Sequence, residues 1–104
     1  MTTPVRPSSF TQQEVDYYAR RYEAEVKGLG ERLWQDIQAA VARIAEHPDV
    51  GQVVPRTRNL VRRVPLRRFP FFLIYRRRDD FLEIIALAHT SRRPNYWRSR
   101  LKFD

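Results

Sequence analysis

The chain has 104 residues, 42% of them hydrophobic, which is enough for one modest core and predicts a single domain over residues 1–104. It has no cysteine and two histidines, which argues against disulfides, thiolate zinc sites and histidine-rich metal sites, and we expect no cofactor. No apolar run approaches the ~18 residues of a membrane span and the N-terminus lacks a signal-peptide pattern. We therefore expect a cytoplasmic protein without a membrane partner.

The positive charge is concentrated in the second half of the chain. The formal net charge is +8. Residues 1–50 carry six basic and eight acidic side chains, a net charge of −2, whereas residues 51–104 carry fourteen and four, a net charge of +10. Such asymmetry predicts one strongly positive face that attracts nucleic acid, an anionic membrane or an acidic protein segment.

The first predicted element is a helix over roughly residues 12–27. Thr11 and Glu14 have the spacing of a capping box, which places the helix start at this point. The stretch Gly28-Leu29-Gly30 supplies glycines for the positive φ angle that often ends a helix. Tyr17 lies off the apolar stripe, so we predict that it is an exposed contact residue.

A second helix follows the glycines and ends before Pro48. Its apolar residues recur at helical spacing and are Leu33, Trp34, Ile37, Ala40, Val41 and Ile44. Two helices joined by a short glycine turn predict an antiparallel hairpin.

Residues 49–60 read as a loop, and three antiparallel strands are predicted within residues 60–68, 68–76 and 81–89. Pro65 indicates an edge position or a bulge, and Val5–Phe10 is a candidate for a short first strand. The last two strands are apolar on both faces, which places them in the middle of the sheet. The helical hairpin could cover one face, and the other must be curled or covered by the chain ends or by a partner. The predicted fold is α+β: a helical hairpin packed on a small twisted antiparallel sheet, with a basic C-terminal tail.

Several segments together resemble the ParE/RelE superfamily of type II toxin–antitoxin toxins. They are "IAEHPDVGQ", "VRRVPLRRFPFFLIYRR" and "EIIALAHTSRRPNYWRSR", in this order behind two amphipathic helices. The segments "RRFPFFLIYR" and "AHTSRRPNYWRSR" look more like the ParE branch, often called plasmid-stabilisation proteins, than like the RelE branch. The resemblance implies a bacterial growth-arresting toxin held in check by a co-expressed antitoxin.

The branch decides the expected target. ParE-like toxins are associated with poisoning of DNA gyrase, which requires binding and no catalytic residue, and this is the function that the resemblance favours. RelE-like toxins cleave messenger RNA on the ribosome. Metal-free cleavage here would use His89 and Tyr96 for proton transfer, with Arg68 and Arg93 to stabilise the phosphate. If Tyr96 matches the RelE-like tyrosine, the arginine expected about six residues earlier falls near Thr90, which speaks against that cleavage.

The arginines behind both hypotheses are predicted to line one surface, which would bind the target, the antitoxin or both. This predicted surface comprises Arg62, Arg63, Arg67, Arg68, Arg92, Arg93, Tyr96, Arg98 and Arg100. A third hypothesis is a non-toxic module that binds RNA or DNA through phosphate contacts alone. Structural roles are open for three residues: a backbone-bonded strand end for His89, and an aromatic pair that caps the core for Tyr96 and Trp97, with Trp97 expected in the core.

The expected antitoxin is an acidic, amphipathic segment that is partly disordered when free. Its apolar side chains would point into a groove of the toxin while its carboxylates face the arginines. Whether it binds as a helix or as a strand is open at this stage.

Overall fold

The computed structural model describes residues 2–101. In chain order the elements are β1 (Val5–Pro7), α1 (Ser9–Glu25), α2 (Leu29–Glu46), β2 (Gln52–Val53), β3 (Val61–Pro65), β4 (Phe71–Arg77), β5 (Leu82–His89) and a C-terminal 3₁₀ helix (Tyr96–Arg100). Within residues 2–101, no helix is long and apolar enough to cross a bilayer. The predicted α+β class is confirmed.

The start of α1 differs from the sequence prediction. Ser8 is the N-cap, and its hydroxyl accepts a hydrogen bond from the Thr11 amide at 3.2 Å. Thr11 is buried inside the first turn and donates its hydroxyl proton to the Ile84 carbonyl at 2.8 Å. The capping box at Thr11 is therefore wrong, because tertiary contacts with the sheet use both the Thr11 and the Glu14 side chains. The helix also ends at Glu25, two residues earlier than predicted.

The helical hairpin forms as the sequence predicts. Gly28 has φ 89°, the left-handed conformation that glycine adopts without a steric penalty. Glu23 accepts hydrogen bonds from the amides of Gly28 and Gly30 at 2.9 and 3.0 Å, which ties the turn to α1. A Cβ atom on Gly30 would lie 2.7 Å from the Ala19 carbonyl oxygen, so glycine is what allows the two helices to approach here.

The sheet has the order β1-β5-β4-β3-β2. The three predicted strands are its antiparallel centre, and β2 adds a two-residue edge strand in the segment predicted as a loop. The candidate first strand exists as β1 and pairs parallel to β5, which makes the sheet mixed. β2 pairs with β3 only at Arg62 and Arg63, so no residue of β2 lies opposite Pro65. The missing N–H of Pro65 therefore leaves no carbonyl of β2 without a donor.

Both faces of the sheet are covered, and each cover encloses its own core. The helices enclose the larger core, which includes Leu33, Ile37, Ala40, Ile44, Leu66, Phe71, Leu73, Tyr75 and Leu87. The opposite core consists of Val54, Val61, Ile74, Ile85, Ala86, Ala88 and Trp97. Trp97 is 3% exposed. The C-terminal end of the chain thus covers the second face, and the core role of Trp97 is confirmed.

Candidate binding surface

The turn between β3 and β4 carries Arg67 and Arg68 and is fixed by a buried carboxylate. Asp36 of α2 is 6% exposed and accepts hydrogen bonds from the amides of Arg67, Arg68 and Phe69, at 3.3, 2.8 and 3.1 Å. The backbone of the turn is therefore held while both arginine side chains stay exposed. Sequence analysis missed Asp36, although an acid inside the apolar stripe of α2 was a usable signal.

The two arginines of β3 have different roles. Arg62 donates to the carbonyls of Asp49 and Gly51, at 3.1 and 2.8 Å, and so organises the preceding loop. Arg63 lies with its guanidinium 4.6 Å from the centre of the Phe72 ring and is exposed. Of this pair, Arg63 is the side chain that faces the cleft described next.

A cleft of about 140 Å³ opens between the sheet and the C-terminal tail. Arginines surround its mouth: Arg63 from β3, and Arg92 and Arg93 from the segment after β5. Its floor is apolar and is formed by Val54, Phe72, Ile74, Ala88 and Trp97. We call this the basic cleft. Its combination of apolar floor and cationic mouth suits a ligand that has both apolar and negatively charged groups.

The last two arginines of the predicted surface bind other parts of the chain. Arg98 donates to the carbonyls of Arg56 and Pro55, at 3.0 and 2.5 Å, which connects the 3₁₀ helix to the loop before β3. Arg100 binds both carboxylate oxygens of Glu14 at 2.9 Å and donates to the Ile85 carbonyl at 3.0 Å. These hydrogen bonds hold the tail in place.

Tyr96 shares the same carboxylate. Its hydroxyl donates to Glu14 Oε2 at 2.5 Å, and the Arg92 guanidinium lies 3.6 Å from the centre of the Tyr96 ring. Burial, followed by the bond to Glu14 and its negative charge, raises the pKa of Tyr96 above its ordinary value. The phenol is therefore held in its protonated form by an internal acceptor, which makes it a poor source of a proton for a bound substrate.

His89 lies at the end of β5 and turns toward α1. Its Nδ1 atom is 2.7 Å from the Ser91 hydroxyl oxygen and accepts a hydrogen bond from the Ser91 amide at 3.0 Å. Its ring stacks on Tyr18 with the centroids 5.9 Å apart. His89 and Tyr96 both border the basic cleft, but the Nδ1 atom of His89 is bound by Ser91 and the hydroxyl of Tyr96 by Glu14. The backbone-bonded role considered for His89 is thus present.

The structure brings part of the predicted surface together at one end of the sheet. The Thr90 amide donates to the Pro70 carbonyl at 2.9 Å, which sets the segment leading to Arg92 and Arg93 beside the β3–β4 turn with Arg67 and Arg68.

Across residues 2–101, no group of three or more histidine, cysteine or acidic side chains is arranged to hold a metal ion.

Comparison with known proteins decides the family. The sequence profile described as "ParE toxin of type II toxin-antitoxin system, parDE" matches residues 9–94, which is most of the chain. The chain belongs to the ParE toxin family. This confirms the resemblance noted from the sequence and its assignment to the ParE branch.

The ParE fold is also evident in solved structures. The chain is similar to a protein of a chromosomal ParDE toxin–antitoxin system from P. aeruginosa, with a TM-score of 0.73, 18% identity, and coverage of 86% of this chain and 98% of that one. It is also similar to a mutant of the E. coli toxin RelE in the free state, with a TM-score of 0.63, 14% identity, and coverage of 95% and 93%. Among curated proteins, none matches significantly. At these identities the structural likeness shows the fold, which both branches share.

Proposed function

We propose that this ParE-family toxin arrests growth by binding DNA gyrase, or the gyrase–DNA complex, through the basic cleft. The observation that carries the proposal is the arginine-lined mouth of a cleft with an apolar floor, formed by Arg63, Arg92 and Arg93. An apolar centre with arginines around it is the composition of a protein-binding surface. The engagement of Tyr96 by Glu14 and of His89 by Ser91 favours this binding role over ribonuclease action.

The test is inhibition of DNA supercoiling by purified gyrase, together with the amount of gyrase-linked DNA breaks. The variant Arg92→Ala/Arg93→Ala removes two cations from the cleft and is expected to require about tenfold more protein for half inhibition. The matched control is Arg77→Ala/Arg78→Ala, which removes the same charge from an exposed arginine pair at the opposite end of the β4–β5 hairpin. It is expected to change inhibition by less than about twofold, because exposed distant charges are screened by salt.

Other outcomes separate the remaining functions. An equal loss of gyrase inhibition in the two double variants would show that net charge, and not the cleft, is responsible for inhibition. Growth arrest with unchanged plasmid topology would contradict the gyrase target and favour messenger RNA cleavage, which His89→Ala would then test. No growth arrest, with tight binding to bare nucleic acid that weakens steeply with salt, would favour the non-toxic module.

The neutralising partner in this proposal is an acidic, amphipathic antitoxin segment that occupies the same cleft. Its apolar side chains would contact the floor, and its carboxylates would contact Arg63, Arg92 and Arg93. A synthetic peptide that alternates leucine and glutamate should relieve gyrase inhibition, whereas the leucine–lysine peptide should not. Relief by neither peptide, with the toxin still active, would place the antitoxin elsewhere.

A further inference from the structure

Of the acidic side chains of α1, Glu14 has the most polar partners. The binding role proposed above does not use it. Glu14 is 9% exposed. Its Oε1 atom accepts from the Leu87 amide at 3.1 Å and from Arg100 at 2.9 Å, and its Oε2 atom accepts from Tyr96 and again from Arg100. One carboxylate therefore joins α1, β5 and the C-terminal tail.

The place of Glu14 in the sheet explains why the Leu87 amide needs it. β1 pairs with β5 only from Leu82 to Ile84, so the backbone of β5 beyond Ile84 has no neighbouring strand on that side. Side chains take the place of a strand there: Thr11 donates to the Ile84 carbonyl, Arg100 to the Ile85 carbonyl, and Glu14 accepts from the Leu87 amide. Backbone groups at a buried strand edge require such partners. Glu14 thus has a fixed position relative to the sheet.

From this fixed position Glu14 reaches an arginine of the basic cleft by two routes. The direct route is an ion pair with Arg92, whose Nη1 atom is 3.7 Å from Glu14 Oε2. The indirect route runs through Tyr96, since Glu14 binds the phenol hydroxyl and the Arg92 guanidinium stacks on the phenol ring at 3.6 Å. Arg92 is 45% exposed, so these contacts restrain a side chain that otherwise moves freely in solvent.

We propose that Glu14 is a positioning residue of the toxin: it orients Tyr96 and Arg92, and so sets the direction of one cation at the mouth of the basic cleft. Preorganisation of this kind raises affinity because the arginine loses less conformational freedom on binding. The inference rests on the proposed use of the cleft, although not on gyrase being the target.

The first readout reports on Arg92 alone. In ¹⁵N NMR of the full chain, the heteronuclear NOE of the Arg92 Nε–Hε group is expected to be high in the wild type and to fall in Glu14→Gln. The Nε–Hε signal of Arg67, whose side chain is exposed on the β3–β4 turn, is expected to stay the same. Asp16→Asn is the matched control, because it removes an exposed acid from the same helix. An Arg92 signal that is equally rigid in Glu14→Gln would overturn the proposal.

A second variant guards against simple loss of folding. Glu14→Gln leaves the Arg100 guanidinium, 15% exposed, without its carboxylate. Glu14→Leu/Arg100→Met removes both charges together, an exchange that folded proteins tolerate well when packing is kept. Arg92 is expected to be mobile in this double variant and rigid in Arg100→Met alone, where Glu14 remains.

The second readout is growth arrest after induction, which does not depend on knowing the target. Both Glu14 variants are expected to need about tenfold more toxin for the same arrest, the loss expected when a charged hydrogen-bond donor is no longer held in place, whereas Asp16→Asn matches the wild type. Full toxicity in a folded variant with a mobile Arg92 would refute the positioning role. Loss of toxicity in the Glu14 variants, combined with failure of the wild type to inhibit gyrase, would refute the proposed target and leave the role of Glu14 intact.

Discussion

The two faces of the sheet are closed by different kinds of interaction. The helix face is covered by large aliphatic and aromatic side chains, with Leu33, Ala40, Ile44, Leu73 and Leu87 all fully buried. The tail face is covered by a short 3₁₀ helix and a loop, and Trp97 is the largest buried residue of its core. Directional polar contacts complete the tail face: Arg98 binds two loop carbonyls, and Arg100 and Tyr96 bind Glu14.

The two faces should therefore differ in their sensitivity to small changes. Hydrophobic burial is non-directional and tolerates exchange of apolar groups of similar volume. A buried carboxylate with several donors loses much more when one partner is removed. The toxin therefore has a robust helix face, and a tail face whose geometry, including that of the basic cleft, depends on a few polar atoms.

The largest effect is expected on the tail face from Trp97→Ala. Removing this 3%-exposed ring empties the centre of the small core, which should lower the free energy of unfolding by about 3–5 kcal/mol. Urea denaturation measures the change. The matched control is Trp34→Ala on α2, where the ring is 45% exposed and the expected cost is about 1 kcal/mol or less. Similar costs at both positions would contradict the role of Trp97 in closing this face.

Leu33→Ala tests the helix face. It should lower the free energy of unfolding by about 2–5 kcal/mol, because this leucine of α2 is fully buried. Because the tail contacts lie on the other face of the sheet, they should survive, and the Arg92 NMR signal should keep its wild-type rigidity in the folded fraction. Leu60→Ala, at a half-exposed leucine of the loop, serves as the control for side-chain size. A mobile Arg92 in Leu33→Ala would mean that the two faces are coupled.

Tyr96→Phe removes one polar contact from the tail face and keeps the ring. We expect a loss of about 1.5 kcal/mol, the lower end of the range for a hydrogen bond to a charged group, since Glu14 retains Arg100 and the Leu87 amide. Thermal unfolding measures it, with Tyr17→Phe at an exposed tyrosine as the control. An unchanged stability would contradict a contribution of the Tyr96–Glu14 bond.

The same tyrosine predicts a pH dependence. Its pKa is raised in the folded protein above the ordinary value of 10.0, so the unfolded chain releases this proton at a lower pH than the folded chain does. The stabilisation is therefore fully present below about pH 10 and is lost as the pH rises through the folded-state pKa. Urea unfolding at about pH 9 and about pH 11 measures the free energy of unfolding, which should fall less between these pH values in Tyr96→Phe than in the wild type. An equal fall in both proteins would exclude Tyr96 as a cause.

The smallest expected effect is a gain, from Arg56→Gly in the loop that borders the tail face. Arg56 has φ 62°, a left-handed conformation that costs a non-glycine residue energy. Relief of that strain, offset in part by the greater freedom of glycine in the unfolded chain, should stabilise the protein by about 0.5–1 kcal/mol. The same change at Arg20, inside α1, should destabilise by about 1 kcal/mol. A lower stability in both variants would show that Arg56 is not strained.

Sequence patterns predicted most of the fold. The helical hairpin followed from the spacing of Leu33, Ile37, Ala40 and Ile44 and from Gly28, since both signals are local. The central strands followed from runs that are apolar on both faces. The two-residue β2 was missed because its length is too short to produce an alternating pattern, and the parallel pairing of β1 was missed because strand order depends on distant contacts.

The candidate site, too, was predicted only in part. The concentration of arginines was visible in the sequence, and Arg63, Arg92 and Arg93 do meet at the basic cleft. Arg98 and Arg100 look the same in the sequence, yet Arg98 binds two carbonyls of an exposed loop and Arg100 binds the buried carboxylate of Glu14. A side chain's charge is a property of the residue, but its direction depends on which acceptors the folded chain brings near it.

Glu14 separates the properties that can be read from the sequence from those that depend on the folded chain. The α+β class and the strongly basic second half follow from periodicity and composition alone, and the family follows from the resemblance of the sequence to ParE toxins. The sequence also predicted a cap role for Glu14, since the local spacing Thr11-x-x-Glu14 has a local interpretation. The structure instead joins Glu14 to Leu87, Tyr96 and Arg100, more than seventy positions away along the chain. Contacts across such distances exist only once the sheet has formed and left an unpaired edge for the carboxylate to fill.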